Sequence, residues 1–323
     1  MAQLSRPAAR AATILVCRLV ANMKSSAIPL SLPLALCLFL AGASCSSNKT
    51  AAPERGETAA SAPTETLRIP RVGTIQTAGG GSVSKLENGW KIDANGGGTF
   101  AAAVPIPSYG PGQWAGSVVV RIRVTKGKIG LGLLTTDGDI LKEQTVAPGA
   151  DVRNVSLPIA SNENVKALLL RGLEPKSTSS EAFVETVDLA LPAVKLPDGV
   201  SLARFASAQG EALIESGPRV RVVTTAVPWT YGAALPLALD NPRGALFLRA
   251  KVTTIRGEPY IGILNRDQKD FQVQEPLPPG PDAQEVVVYI PSPATAGSVI
   301  VRNGAKNGVS EARIEDVAIY SLK

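Results

Sequence analysis

From Leu67 onward, apolar and polar residues alternate over short runs, and Gly, Pro or Asp interrupts those runs at intervals of about ten residues. Ser117–Val124 shows the rule. Val118, Val120, Ile122 and Val124 fall on one side, and Val119, Arg121 and Arg123 on the other. Successive side chains of a strand point to opposite faces, so this spacing predicts a sheet with one face buried and one in water. Comparable runs at Lys166–Leu170, Ala245–Val252, Glu285–Ile290 and Ser298–Val301 extend the pattern, and no segment carries a long helical period. The prediction is an all-β chain.

The pattern occurs twice. Thr99-Phe100-Ala-Ala-Ala-Val104-Pro105 returns as Thr230-Tyr231-Gly-Ala-Ala-Leu235-Pro236, and Arg121-x-x-Val124 as Arg249-x-x-Val252. Gly127 with Gly132-Leu-Leu returns as Gly257 with Gly262-Ile-Leu, Pro148-Gly149 as Pro279-Gly280, and Leu170-Arg171 as Val301-Arg302. Glu181-Ala-x-x-Glu185-x-Val187-x-Leu189 returns as Glu311-Ala-x-x-Glu315-x-Val317-x-Ile319. Landmarks in one order at nearly constant offset mark a duplication. We therefore expect two tandem antiparallel jelly-roll-like β-sandwich domains, residues 67–194 and 195–323, joined by a short connection at Pro192–Gly199 and packed side by side.

The first 66 residues follow other rules. Met23-Lys24 precedes the apolar stretch Ala27–Ala41, the signature of an export signal, with Met23 as the expected start and residues 1–44 as the signal peptide. Gly42-Ala43-Ser44-Cys45 resembles a bacterial lipoprotein signal, which implies that Cys45 becomes the lipidated first residue. Cleavage after Ala43 to release a soluble chain, and retention as an uncleaved anchor, are the competing readings. Residues 45–66, rich in small residues, Pro and Glu, read as a flexible tether. Arg6, Arg10, Arg18 and Lys24, with no acid among residues 1–44, account for four of the formal +6 charges. Little basicity is left in the body of the chain, so no nucleic-acid partner is expected.

The order Trp229-x-Tyr231, Pro236-Leu237, a strand with Arg249, Gly257 to Leu264, Pro279-Gly280 and Arg302-Asn303 resembles carbohydrate-binding-module-like β-sandwiches of the galactose-binding jelly-roll type. That resemblance implies a binding scaffold and a glycan partner. The first copy departs from it: Gly98 stands at the position of Trp229, and Gly172 at that of Asn303.

Candidate chemistry is sparse. The chain has no His, and its three Cys (Cys17, Cys37, Cys45) precede the folded part, which removes His bases, Cys nucleophiles and His or Cys metal ligands there. No nucleophile elbow, phosphate loop or facing pair of carboxylates stands out, so the chain is expected not to be an enzyme and to need no cofactor. Asp137-Gly138-Asp139 reads as a hairpin turn, with a calcium site on Asp137 and Asp139 as its rival. Trp229 and Trp114 are candidate stacking surfaces for sugar rings, whereas Tyr231, aligned with Phe100, is expected in the core. Arg171 and Arg302, which end an apolar strand in both copies, either bind ligand, with Asn303, or pair with Glu181/Glu185 and Glu311/Glu315 on the last strands. These features together predict a non-catalytic cell-envelope lipoprotein, outer-membrane in location and facing the periplasm or the surface. It would bind glycan or another envelope polymer; the alternative is a structural or assembly protein that docks a protein partner.

Overall fold

The computed structural model describes residues 63–71, 74–109, 114–161, 163–197, 199–215, 219–239 and 244–322. Residues 1–44, read as an export signal, and Cys45 lie outside them. The chain is all-β, built from antiparallel sheets. The first half holds β1 (Thr64–Pro70), β2 (Gln76–Thr77), β3 (Gly81–Leu86), β4 (Gly89–Asn95), β5 (Phe100–Pro105) and β6 (Gly116–Lys126). It continues with β7 (Ile129–Thr135), β8 (Ile140–Val146), β9 (Arg153–Ile159), β10 (Val165–Gly172) and β11 (Ser179–Leu196). The second half holds β12 (Ala206–Ser207), β13 (Glu211–Glu215), β14 (Arg219–Val223), β15 (Tyr231–Pro236) and β16 (Leu246–Arg256). After these come β17 (Pro259–Asn265), β18 (Phe271–Pro276), β19 (Gln284–Ile290), β20 (Ala296–Asn303) and β21 (Glu311–Leu322).

Each half is a sandwich. In the first, a five-stranded sheet ordered β2-β5-β10-β7-β8 covers part of an eleven-stranded sheet, and in the second β12-β15-β20-β17-β18 covers the rest. Between the layers of the first lie Val118, Val120, Ile122 and Leu189 against Leu131, Leu133, Leu168 and Leu170, all essentially inaccessible to water. The second core repeats this with Leu248, Ala250, Val252 and Ile319 against Ile261, Ile263, Val299 and Val301. The alternation that predicts a buried face in Ser117–Val124 is therefore obeyed at every step.

Two stretches differ from the sequence reading. Thr64–Thr66, assigned by composition to the tether, are in β1 and pair with Val194, Ala193 and Pro192. Pro192–Leu196, read as a connection, are the end of β11, and Ala193–Leu196 pair with β21. The pair Ile69↔Leu189 in the first half recurs as Leu196↔Ile319 in the second. The tail of β11 thus takes, in the second half, the place of β1 in the first. One strand closes one sandwich and opens the next, so the large sheet runs unbroken through both.

The outer face of the large sheet is a ladder of ion pairs. Arg121 meets Glu185, Lys91 meets Glu181, Arg313 meets Glu215, and Arg221 and Arg256 converge on the buried carboxylate of Glu311. The glutamates of the last strands are engaged here and are not the partners of Arg171 and Arg302.

Candidate aromatic and arginine platform

The outer faces of the two five-stranded sheets match strand for strand and register for register. In the second half Arg302, on the central strand β20, lies between Tyr231 of β15 and Tyr260 of β17. The neighbouring β18 places Gln274 opposite Gly262. In the first half Arg171 lies between Phe100 and Gly130, and Glu143 is opposite Gly132. Register for register, Phe100 corresponds to Tyr231, Gly130 to Tyr260, Glu143 to Gln274 and Arg171 to Arg302.

A β-bulge between Tyr231 and Ala233 turns Tyr231 outward, because Gly232 takes the inward position: a Cβ there would lie 2.9 Å from Val222. The expectation that Tyr231 is core is therefore corrected. Phe271 lies flat on the sheet, since a Cβ on Gly262 would come within 2.8 Å of its ring. Tyr231 meets Phe271 edge-on, with centroids 5.7 Å apart.

Trp229 precedes β15, and its side chain is 51% exposed. Its φ is +65°, a conformation that bulky L-residues rarely adopt. It occupies the third position of the turn Val227-Pro228-Trp229-Thr230, where a type II turn normally takes Gly. The first half has Gly98 at the matching position, with φ +77°. The conformation is pinned: the Trp229 amide donates to the Asn303 carbonyl (2.7 Å), and Thr230 Oγ1 donates to the Val227 carbonyl (2.8 Å). Asn303 itself is fully buried. Its Nδ2 donates to the carbonyls of Thr225, Val227 and Gly308, and its Oδ1 accepts from Ala305 N and Ser310 Oγ. Asn303, a candidate ligand contact by sequence, instead holds the turn that carries Trp229.

Arg302 is clasped between rings. Its guanidinium carbon lies 4.5 Å from the centroid of Trp229 and 5.0 Å from that of Phe271, and Tyr260 meets Trp229 edge-on at 5.6 Å. Its Nη1 donates to Gln274 Oε1 (2.7 Å), while its Nε–H is buried with no partner. Burial pulls its pKa down, and no carboxylate opposes the effect. Arg171 is the contrast: it forks onto Glu143, with Nε to Oε1 at 2.6 Å and Nη2 on Oε2, and this hydrogen bonding raises its pKa. Gly130 makes room for that carboxylate, since a Cβ there would lie 2.3 Å from Glu143 Oε1.

Trp114, the remaining aromatic candidate, is half-buried 6.1 Å from Tyr109, which in turn packs edge-on against Phe247 (4.9 Å) and Tyr289 (5.1 Å). It belongs to an aromatic cluster that joins the two halves and is not part of the platform. Asp137, Gly138 and Asp139 form the β7–β8 hairpin turn, with Gly138 at φ +99° and the Thr135 amide donating to the Asp139 carbonyl (2.9 Å). No group of acidic residues among the described residues is arranged to hold a metal ion.

No protein-family model matches the chain, and no curated protein matches it. Among solved structures, the tandem CBM22-1–CBM22-2 domains of Paenibacillus barcinonensis Xyn10C align over 81% of this chain and 99% of theirs, at 12% identity and TM-score 0.29. The glycoside hydrolase domain of Endo-D from Streptococcus pneumoniae aligns over 80% of this chain and 37% of its own, at 11% identity and TM-score 0.27. TM-scores this low say nothing of function.

Proposed function

We propose that this chain is a non-catalytic glycan-binding protein whose binding surface is the outer face of β15, β20, β17 and β18. The observation that carries the reading is the difference between the halves at matched registers. The first half has Gly98, Gly130 and an Arg171 neutralised by Glu143; the second has Trp229, Tyr260 and an Arg302 facing Gln274. A shared fold does not need these changes, because the first half folds without them. An exposed indole at a strained backbone position supports recognition, since such strain persists only where the surrounding structure enforces it and it clusters at binding sites. Indole and phenol faces suit the C–H face of a pyranose, and a guanidinium fork suits its polar substituents. In this reading the chain is exported, and a lipid on Cys45 and the tether after it hold the platform away from a bilayer of the cell envelope.

Affinity electrophoresis of the full chain in gels containing bacterial envelope polysaccharides tests the proposal. We expect retardation by at least one polymer that is lost in Trp229→Ala/Tyr260→Ala. Equal mobility in every gel, or retardation unchanged in the double variant, refutes it.

A further inference from the structure

We infer that the glycan held on this platform is acidic, a hexuronate polymer whose carboxylate pairs with Arg302; this rests on the glycan-binding reading above. A guanidinium stays protonated at any working pH, so a partly buried one needs a counter-charge or a set of good acceptors. The first half supplies the counter-charge internally through Glu143, on the next strand but one from Arg171. The second half has the near-isosteric Gln274 at the same register, which keeps one hydrogen bond to Arg302 and removes the negative charge. The substitution leaves the local geometry filled while leaving the charge unmet. The two rings enclosing Arg302 exclude water from its faces, and the buried Nε–H has no partner. An arriving carboxylate therefore supplies the counter-charge that Glu143 supplies in the first half.

The class of ligand follows from the distance between the charge and the stacking surface. The Arg302 guanidinium lies over one face of Trp229, 4.5 Å from its centroid, so a sugar takes the other face of the indole and must present an anion close enough to reach the guanidinium past the ring edge. A hexuronate does this, because its carboxylate is attached directly to the pyranose ring. Charge-assisted hydrogen bonds to a desolvated guanidinium favour the acid over its neutral counterpart by about 10-fold to 100-fold. The preference weakens as salt screens the pair.

The test titrates the full chain by calorimetry with hexamers of galacturonate, mannuronate and glucuronate, each beside its carboxyl-reduced form, and with a sulfated galactan. At least one uronate is expected to bind about 10-fold to 100-fold tighter than its reduced partner at low salt. That advantage should disappear in Arg302→Gln, and separately in Gln274→Glu, which restores the internal counter-charge and keeps the guanidinium. Equal affinity for acidic and reduced hexamers, an advantage that survives either variant, or tighter binding of the sulfated galactan overturns the hexuronate inference and leaves glycan binding standing. No heat from any uronate hexamer also overturns the hexuronate inference, whereas the glycan-binding reading is refuted only by the gel outcome above.

Discussion

Trp229 offers a test in which the normal ranking of two substitutions is reversed. At most positions Ala is more stable than Gly by about 0.5–1 kcal/mol, because Gly has more backbone freedom to lose on folding. At φ +65° an L-residue brings its Cβ close to the following carbonyl, which costs about 1–2 kcal/mol, and Gly escapes that cost. Removing the indole removes the same contacts with Arg302 and Tyr260 in either variant. With about half of the ring covered, that loss is on the order of 2–3 kcal/mol at 25 cal/mol per Å². It cancels between the two. What remains is strain relief minus chain entropy, so Trp229→Gly should be more stable than Trp229→Ala by about 0.5–1 kcal/mol, or roughly 1–4 °C in Tm for a folded unit of this size.

The first half provides the control. Gly98 has φ +77°, and a Cβ there would meet nothing nearer than Arg171 Nη1 at 3.6 Å, an ordinary contact. Gly98→Ala should therefore lower stability by the same ~0.5–1 kcal/mol with no packing change to obscure it. Urea unfolding of the three variants and the parent, followed by tryptophan-independent circular dichroism, measures both differences. If Trp229→Ala is as stable as Trp229→Gly while Gly98→Ala is destabilised, the indole is not held in the left-handed region, and the preorganised platform falls with it.

Two further outcomes follow from buried groups. Glu311 is 4% exposed between Arg221 and Arg256, which are 39% and 57% exposed and regain hydration when released. Glu311→Gln should thus lower stability by about 2 kcal/mol, below the usual range for breaking a buried pair. The hydrogen bond from Arg221 holds the Glu311 carboxyl below its ordinary value. Its contribution is complete above the unfolded-state pKa and disappears as pH falls through the lower folded one, so Glu311→Gln should flatten the acid limb of stability against pH; an unchanged limb refutes the assignment. Asn303→Ala leaves three carbonyls without their shared donor and should destabilise the chain by about 3 kcal/mol while weakening glycan retardation through the loosened Trp229 turn. Retardation unchanged at full stability would show that Asn303 does not hold the turn.

The scaffold was legible because its signals are local and redundant. Alternation over Ser117–Val124 names the buried face, and the shared landmarks name the duplication. What escaped detection depends on a single extra residue or on a difference between the copies. The bulge that turns Tyr231 outward leaves no mark in a period-two pattern, so alignment with Phe100 points to the core for both. The extent of β11 was hidden because Pro192 reads as a strand end, yet Ala193–Leu196 continue pairing with β21. For Arg171 and Arg302 the sequence offers ligand binding or pairing with the recurring Glu181/Glu185 and Glu311/Glu315, whereas the acid that meets Arg171 is Glu143, which does not recur. The replacement of Glu143 by Gln274 was available in the sequence. Its significance depends on knowing that both lie beside the arginine on the next strand but one.

Duplication separates residues that must be shared from those free to change. Pro105/Pro236, Gly127/Gly257, Gly132/Gly262 and the inward aliphatics recur in both halves because each sandwich must make its own turns and fill its own core. The outer faces carry no such constraint, and on the large sheet they carry ion pairs in both halves, solvated and of little net effect on stability apart from those of the buried Glu311. The five-stranded sheets are where the halves part. One arginine is closed off by its own carboxylate, and the other is walled by rings and left without a counter-charge. Glu143 already pairs with Arg171, so nothing in the described residues meets the charge on Arg302, and that is why we propose the second sandwich, and not the first, as the binding half.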